Sequence, residues 1–418
     1  MSRHAPAAPE LGHWIKAADD LLPDMIELRR AIHMEPEVGL HTPLTTAKAK
    51  KALEGLPLEY IEGPSTTGFI AVLRGPSNGR TVLLRGDMDA LPMHEDTGLE
   101  FSSHHENAMH ACGHDTHVAM LVAAARALCA QRDKLAGTVQ FMFQPGEEGW
   151  HGARYMLDDG LIDPLPDAAF ALHVTPNIEA GKLAGKPGPL LAAADRFIIT
   201  IKGKGGHASQ PHDAVDPIPV ACEAVTALQA MMTRRVPAFD PAILTVARIT
   251  AGTTNNVIPE SAELEGTIRS FSEKSRAIAR DGLKRVVEGV AATHLCEAKV
   301  KIIPGFPVTI CDPRAAALGR RTAERLFGKE NWFEMPHPMM GAEDFAYVLQ
   351  KAPGAMMFLG ASPEGGDWRT CCALHSNRMV LDERVMAHGA AMHCAIAETF
   401  LAEGFDGGSA VAPAAPAR

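Results

Sequence analysis

Short apolar runs, separated by helix-length segments and each ending near polar or charged residues, constrain this chain more than any other feature. Phe69–Arg74, Thr81–Arg85, Thr138–Phe143 and Ala168–Val174 are such runs, bounded by residues such as Gly and Pro, and they read as strands. Thr116–Ala130 is apolar, Ala-rich and free of Gly and Pro, which predicts a buried helix, and Leu21–His33 carries apolar residues at helical spacing. Strand, helix and strand in repeated order predict an α/β fold whose central mixed sheet is flanked by helices.

At about 150 residues per domain, 418 residues imply two or three domains. The middle of the chain changes character. After the Gly/Pro-rich stretch Gly181–Pro189, a strand-like run Phe197–Lys202 leads into GKGGHAS, and Pro219–Met232 reads as a helix. Ile243–Ile249 and Ala262–Arg269 alternate apolar and polar residues, as half-buried antiparallel strands do, and Glu273–Ala291 reads as a second helix. The expectation is an α+β domain at 186–298 inserted into a discontinuous first domain, 14–185 and 299–406. Residues 1–13 and 407–418, rich in Ala, Pro, Gly and Ser, read as flexible tails.

Polar residues gather where the apolar runs stop, and in open α/β sheets functional residues collect at the carboxyl ends of strands. Gly86-Asp87-Met88-Asp89 follows one run, and Gln144-Pro-Gly-Glu147-Glu148-Gly149 follows another. Neighbouring side chains diverge, so two adjacent glutamates can do different jobs: one ligates metal while the other holds a proton. The bland alternatives are an Asp-rich turn before Pro92 and two acids favouring a helix N-terminus. His110-Ala-Cys112-Gly-His114-Asp115-Thr-His117 precedes the long apolar helix, which Asp115 or Thr116 is placed to cap. Residues two apart in an extended loop share a face, so Cys112 and His114 offer a thiolate and an imidazole to one ion. His173 ends the run Ala168–Val174, and His375 lies in Cys371-Cys372-Ala-Leu-His375. Each is modest alone, since a lone histidine in an apolar strand is more often a core residue. Vicinal Cys371 and Cys372 read as two packed thiols before a redox pair. Together Cys112, His114, Glu148, His173 and His375 supply enough N, O and S donors for two divalent ions, with Glu147 left as a base.

Other chemistries lack their signatures. There is no G-x-S-x-G elbow, no Walker lysine motif and no convincing dinucleotide fingerprint, and Gly203-Lys-Gly205-Gly206 has the wrong spacing for a phosphate loop. A net charge of −10 argues against a nucleic-acid partner, and no apolar run approaches the ~18 residues of a membrane span. Eight cysteines without a recognisable secretory signal lead us to expect a cytoplasmic protein without a disulfide framework.

These motifs, in this order, resemble the aminoacylase/carboxypeptidase superfamily of dinuclear metallohydrolases. Closer still is its amidohydrolase branch, which includes hippurate hydrolase, N-acyl-amino-acid amidohydrolases and plant auxin-conjugate hydrolases. The resemblance rests on RGDMDALP (85–92), HACGHDTHVAML (110–121), FQPGEEGWHGARYML (143–157), ALHV (171–174), GKGGHASQPHDAVDPI (203–218), TTNNVIPESAELEGTIRSF (253–271), GAEDFA (341–346) and LHS (374–376). It implies a metal-dependent amidohydrolase that cleaves N-acyl amino acids by metal-activated water. Two divalent ions, zinc or else manganese or cobalt, would be held by Cys112, His114, Glu148, His173 and His375. Glu147 matches the catalytic base. Asp89 matches the acid that orients a metal-bound histidine, and Asp87 stands where the wider superfamily has a histidine ligand. The inserted domain resembles the family's lid and dimerisation surface, so a homo-oligomer is expected. His207 and Asn256 match transition-state binders there, and Arg269 is a candidate for the substrate carboxylate, a task its planar fork suits. The alternatives are a dipeptidase, a dedicated deacylase such as an N-acetyl-diaminopimelate deacetylase, an amidase with Cys112 as nucleophile, and a binding protein that kept the fold without catalysis.

Overall fold

The computed structural model describes residues 11–367 and 372–405. Two compact units emerge, one of Leu11–Gly188, Ile310–Pro336 and the described residues from Tyr347 onward, the other of Pro189–Thr309 and His337–Ala346.

The first unit is built on an eight-stranded mixed sheet. In spatial order its strands are Glu59–Glu62, Phe69–Arg74, Gly137–Gln144, Arg80–Asp87, Ala168–Thr175, Gly354–Gly360, Leu183–Gly185 and Trp332–Glu334. The four strands beginning at Gly137, Arg80, Ala168 and Gly354 run parallel. The strand Ala168–Thr175 is buried at every residue, which is why the run reads apolar rather than alternating. Parallel strands deliver their carboxyl ends to one edge of the sheet. Asp87, Gln144 and Thr175 therefore end together, and the polar motifs follow from there.

Helices Gly12–His33, His114–Ala130 and Val385–Glu403 pack on one another. The second of these starts two residues earlier than expected. Asp115 does not cap it: the residue before the helix is Gly113, at φ 83°, with no side-chain cap. Asp115 Oδ2 instead accepts hydrogen bonds from Arg29 Nε and His33 Nδ1, both at 2.8 Å. The first helix starts at Gly12 with Leu11 and Trp14 buried, so residues 11–13 of the expected tail 1–13 are folded, and residues 1–10 lie outside the described residues. The expected tail 407–418 lies outside the described residues.

The second unit is a four-stranded antiparallel sheet, in the order Ala242–Ala251, Ser261–Ser270, Ala193–Lys202 and Glu297–Pro304. Helices Pro217–Arg235 and Glu273–Thr293 pack against it over a core that includes Phe197, Ile199, Leu228, Leu264 and Leu283. Asp216 and Ser272 cap these helices, accepting from the N–H groups of Ile218 and Ser275. Two expectations change here. An end at 298 would cut the strand Glu297–Pro304, whose polar, lysine-bearing pattern hid it. The strand around Ile243–Ile249 is a sheet edge rather than half-buried, with a register shift between Val246 and Arg248 and with Ile243 and Ile249 exposed. No described helix is long and apolar enough to cross a membrane.

His393, inside the buried helix Val385–Glu403, is pushed down to about 3 by burial and by the nearby His117. A histidine held neutral in the fold takes up its proton on unfolding. Its stabilising contribution is therefore complete above the ordinary histidine pKa, near 6.5, and declines as pH falls from there toward 3. His393→Leu should flatten the pH dependence of the urea midpoint between pH 6.5 and 3. An unchanged slope would show that His393 does not titrate on unfolding.

Candidate metal centre

The centre is assembled from the first unit alone. Cys112, His114 and His173 present ligand atoms within 4.8 Å of one another, and so do Cys112, Glu148 and His375. The two groups share Cys112 and together contain all five residues singled out in the sequence. His114, Glu147 and Glu148 form a third such group.

Local geometry explains each placement. Cys112 and His114 do not share the face of an extended loop. Gly113 turns the chain at φ 83°, and a Cβ there would lie 2.5 Å from Val174 Cγ2. Glycine allows both the left-handed turn and the close packing, and the turn starts the helix at His114. His114 Nδ1 donates to the backbone carbonyl of Asp89 at 2.8 Å. That leaves Nε2 buried without a hydrogen bond, 3.5 Å from Asp87 Oδ2. His173 Nδ1 donates to the Val174 carbonyl at 2.6 Å, and its Nε2 lies 3.4 Å from Cys112 Sγ. His375 adopts φ 67°, its N–H bonding Ala111 O at 2.8 Å. Its Nε2 stands 3.2 Å from Glu148 Oε1, although that oxygen makes no well-formed hydrogen bond. Of the vicinal cysteines, Cys372 is exposed and Cys371 lies outside the described residues.

The donor set fits a divalent cation. Burial first, then the carboxylates of Glu148, Glu147 and Asp87, push the Cys112 thiol well above its ordinary value. A thiolate there requires a positive charge to arrive. Burial disfavours a charged His114, but Asp87, Asp89 and Glu148 outweigh it and push the imidazole up to about 10. A proton thus occupies a group for which a metal would compete. Two buried polar atoms without well-formed hydrogen bonds, His114 Nε2 and Glu148 Oε1, lie among N, O and S donors of the kind zinc takes.

Around these residues lie contacts that the sequence did not announce. Asp87 accepts from Arg85 Nη1 and His117 Nδ1, both at 2.5 Å, while Arg85 Nε donates to Gln144 Oε1 at 2.9 Å. His117 Nε2 in turn accepts the Val174 N–H at 2.9 Å, which fixes its tautomer. Asp87, where the wider superfamily has a ligand, is therefore committed to Arg85 and His117. Asp89 uses its backbone carbonyl on His114, its carboxylate oxygen standing 3.6 Å from that ring. The carboxylate accepts instead from the N–H groups of Glu147 and Glu148.

His207, Asn256 and Arg269 belong to the second unit. His207 pairs with Val257 in a short two-stranded ladder, and the carbonyl of Asn256 accepts from Ala208 N at 3.1 Å. These two are neighbours. The Nδ1 of His207, an exposed residue, accepts the Ser209 N–H at 3.1 Å. Arg269 lies apart, in the strand Ser261–Ser270, where burial lowers its pKa against the pull of Asp195.

A family model described as peptidase family M20/M25/M40 matches residues 83–399. The chain belongs to this family. It is 36% identical to thermostable carboxypeptidase 1 of Saccharolobus solfataricus over 382 residues, 90% of this chain and 95% of that one. It is 38% identical to an N-acetylcysteine deacetylase of Bacillus subtilis over 339 residues, 81% of this chain and 88% of that one. A Bacillus subtilis crystal structure described as a dinuclear metal-binding peptidase of the M20 family aligns with a TM-score of 0.78 at 33% identity, covering 92% of this chain and 99% of that one. The fold of this M20 chain thus has a solved counterpart.

Proposed function

We propose that this M20-family protein hydrolyses the amide bond of N-acyl amino acids, releasing a carboxylic acid and a free amino acid. The reading is carried by one observation, the meeting at Cys112 of two groups of metal-type donors, with Glu147 adjacent to Glu148 in the third. We assign metal binding to Cys112, His114, Glu148, His173 and His375, at two ions per chain. Zinc is the first choice, with manganese or cobalt as alternatives, because a thiolate donor disfavours magnesium and calcium. Divalent ions bound there supply Lewis acidity and bring the pKa of water from 15.7 toward about 7.

The protein's own residues do the rest. Glu147, buried beside this cluster, takes a proton from the attacking water and returns it to the departing amine nitrogen. One water is added across the C–N bond and no proton is lost. His207, Asn256 and Arg269 are assigned to substrate, His207 to the developing oxyanion and Arg269 to the carboxylate. A cytoplasmic location and a homo-oligomer formed through the second unit complete the proposal.

The similarity to a carboxypeptidase keeps peptide hydrolysis as the second reading, since a peptide's last residue also presents an amide beside a free carboxylate. A nucleophilic Cys112 is disfavoured, because reactive cysteines need a depressed pKa and this thiol is pushed the other way.

The test is hydrolysis of hippurate, N-acetyl amino acids and dipeptides before and after chelation, with zinc, manganese or cobalt added back and metal content determined. Activity should vanish on chelation and return with metal, and N-acyl amino acids should be cleaved faster than dipeptides. Full turnover by metal-free protein would end the proposal. Cys112→Ser should lower metal stoichiometry and activity together, whereas a cysteine that merely packs would leave the metal content intact.

A further inference from the structure

The two glutamates at the centre are held through their backbone by one carboxylate. Asp89 is 1% exposed and follows the strand Arg80–Asp87. Its Oδ1 accepts the Glu147 N–H at 2.8 Å and its Oδ2 accepts the Glu148 N–H at 3.0 Å. Both oxygens are thus directed at consecutive amides of the turn that carries the base. The turn is tight: Gly146 and Gly149 take φ 73° and 84°, and the Gly149 N–H bonds Glu147 O at 2.6 Å. On the other side, the Met88 N–H bonds Gln144 O at 2.8 Å, tying the residue before Asp89 to the end of the neighbouring strand. The His114 Nδ1–H is satisfied by the backbone carbonyl of Asp89 at 2.8 Å, and the nearest carboxylate oxygen stands farther off, at 3.6 Å.

We propose that Asp89 is a positioning residue for Glu147 and Glu148, acting through their backbone N–H groups and not through the imidazole of His114. The physical case is direct. Two adjacent N–H dipoles converging on a carboxylate make charge-assisted hydrogen bonds, roughly twice as strong as neutral ones. Buried at 1% exposure, they meet little competition from water. They fix the peptide plane between Glu147 and Glu148, and so the directions in which the two side chains leave. A displacement of about 1 Å at a reacting group can cost about 10²-fold in rate, so the clamp matters to turnover. The backbone carbonyl that holds His114 survives any substitution of the Asp89 side chain, so the two roles separate experimentally.

The consequence for catalysis rests on the reading of Glu147 as the base, whereas the clamp does not. Amide exchange read by mass spectrometry on a peptide covering residues 145–150 tests the clamp in metal-free protein. In Asp89→Ala the amides of Glu147 and Glu148 should exchange roughly ten- to a hundredfold faster, the loss expected for hydrogen bonds to a charged group. Asp89→Asn, which keeps the volume and one acceptor, should fall between Asp89→Ala and the unsubstituted protein. With metal loaded, Asp89→Asn should lower kcat while KM stays within about twofold, since the pocket is untouched and the base is displaced. Unchanged exchange at these amides, with metal content falling, would overturn the proposal and return Asp89 to a histidine-orienting role. Faster exchange with unaltered kcat would overturn the positioning role for Glu147. If Glu147→Gln also turned over normally, the fault would lie with the assignment of the base and not with the clamp.

Discussion

Glu147→Gln is expected to lower kcat by at least about 10²–10⁴-fold, the usual contribution of a general acid–base group, with metal content unchanged. Glutamine has the shape of glutamate but cannot accept the proton, so binding survives and proton transfer does not. Glu147 is chosen over Glu148 on geometry. Glu148 Oε1 stands 3.2 Å from His375 Nε2, and Glu148 shares a donor group with Cys112 and His375. Glu147 falls outside that group, although it shares another with His114 and Glu148. Glu148→Gln should therefore reduce metal affinity first and turnover as a result. The measurement is kcat and KM for the best N-acyl amino acid, with metal per chain determined on the same sample. Turnover by Glu147→Gln within a few-fold of the unsubstituted protein would remove Glu147 as the base.

Much of this centre was legible because a parallel sheet writes itself plainly. Strands buried on both faces are continuous apolar runs, and Ala168–Thr175 could hardly be anything else. Their carboxyl ends share an edge, so polar residues just beyond them are already neighbours before any contact is known. What stayed hidden are contacts between residues far apart in the chain. The bonds from Glu147 and Glu148 to Asp89 span 58 and 59 residues, and the bond from Arg29 to Asp115 spans 86. Nothing local to Asp115 distinguishes a helix cap from a buried anion. The turn at Gly113 was missed for a related reason, because a glycine between two ligands fits an extended loop and a left-handed turn equally well. In the second unit the alternating pattern found strands but not their rank in the sheet. An edge strand and a covered one differ in what lies beside them, which explains the exposure of Ile243 and Ile249.

Asp195→Ala should destabilise the second unit by about 3–5 kcal/mol, the usual effect of removing one partner from a buried ion pair. The Asp195 side chain is 1% exposed, and two arginines converge on it. Arg276 reaches its oxygens at 2.7 and 3.0 Å and Arg280 at 2.5 and 2.7 Å, while the Gly305 N–H adds a fifth bond at 3.2 Å. Removing the carboxylate would leave Arg276, itself almost fully buried, with only Glu273 at 2.9 Å to balance it. Burial opposes the charge on Asp195, but the arginines outweigh it and hold the carboxyl at about 2. Its contribution is thus present above the ordinary carboxylate range and is lost as pH falls from about 4 through 2. The variant should lose that acid-sensitive component along with its stability. The cluster also bears on substrate binding. Asp195 pairs with Ile268 across the sheet, and Arg269 with Ala194, so the anion lies beside the arginine assigned to the substrate carboxylate. Arg269 makes no ion pair among the described residues, and its side chain donates to Met340 O at 3.5 Å. Urea unfolding with limited proteolysis of residues 189–309 would read the stability, and an unfolding midpoint for Asp195→Ala equal to that of the unsubstituted protein would show that the arginines find other partners.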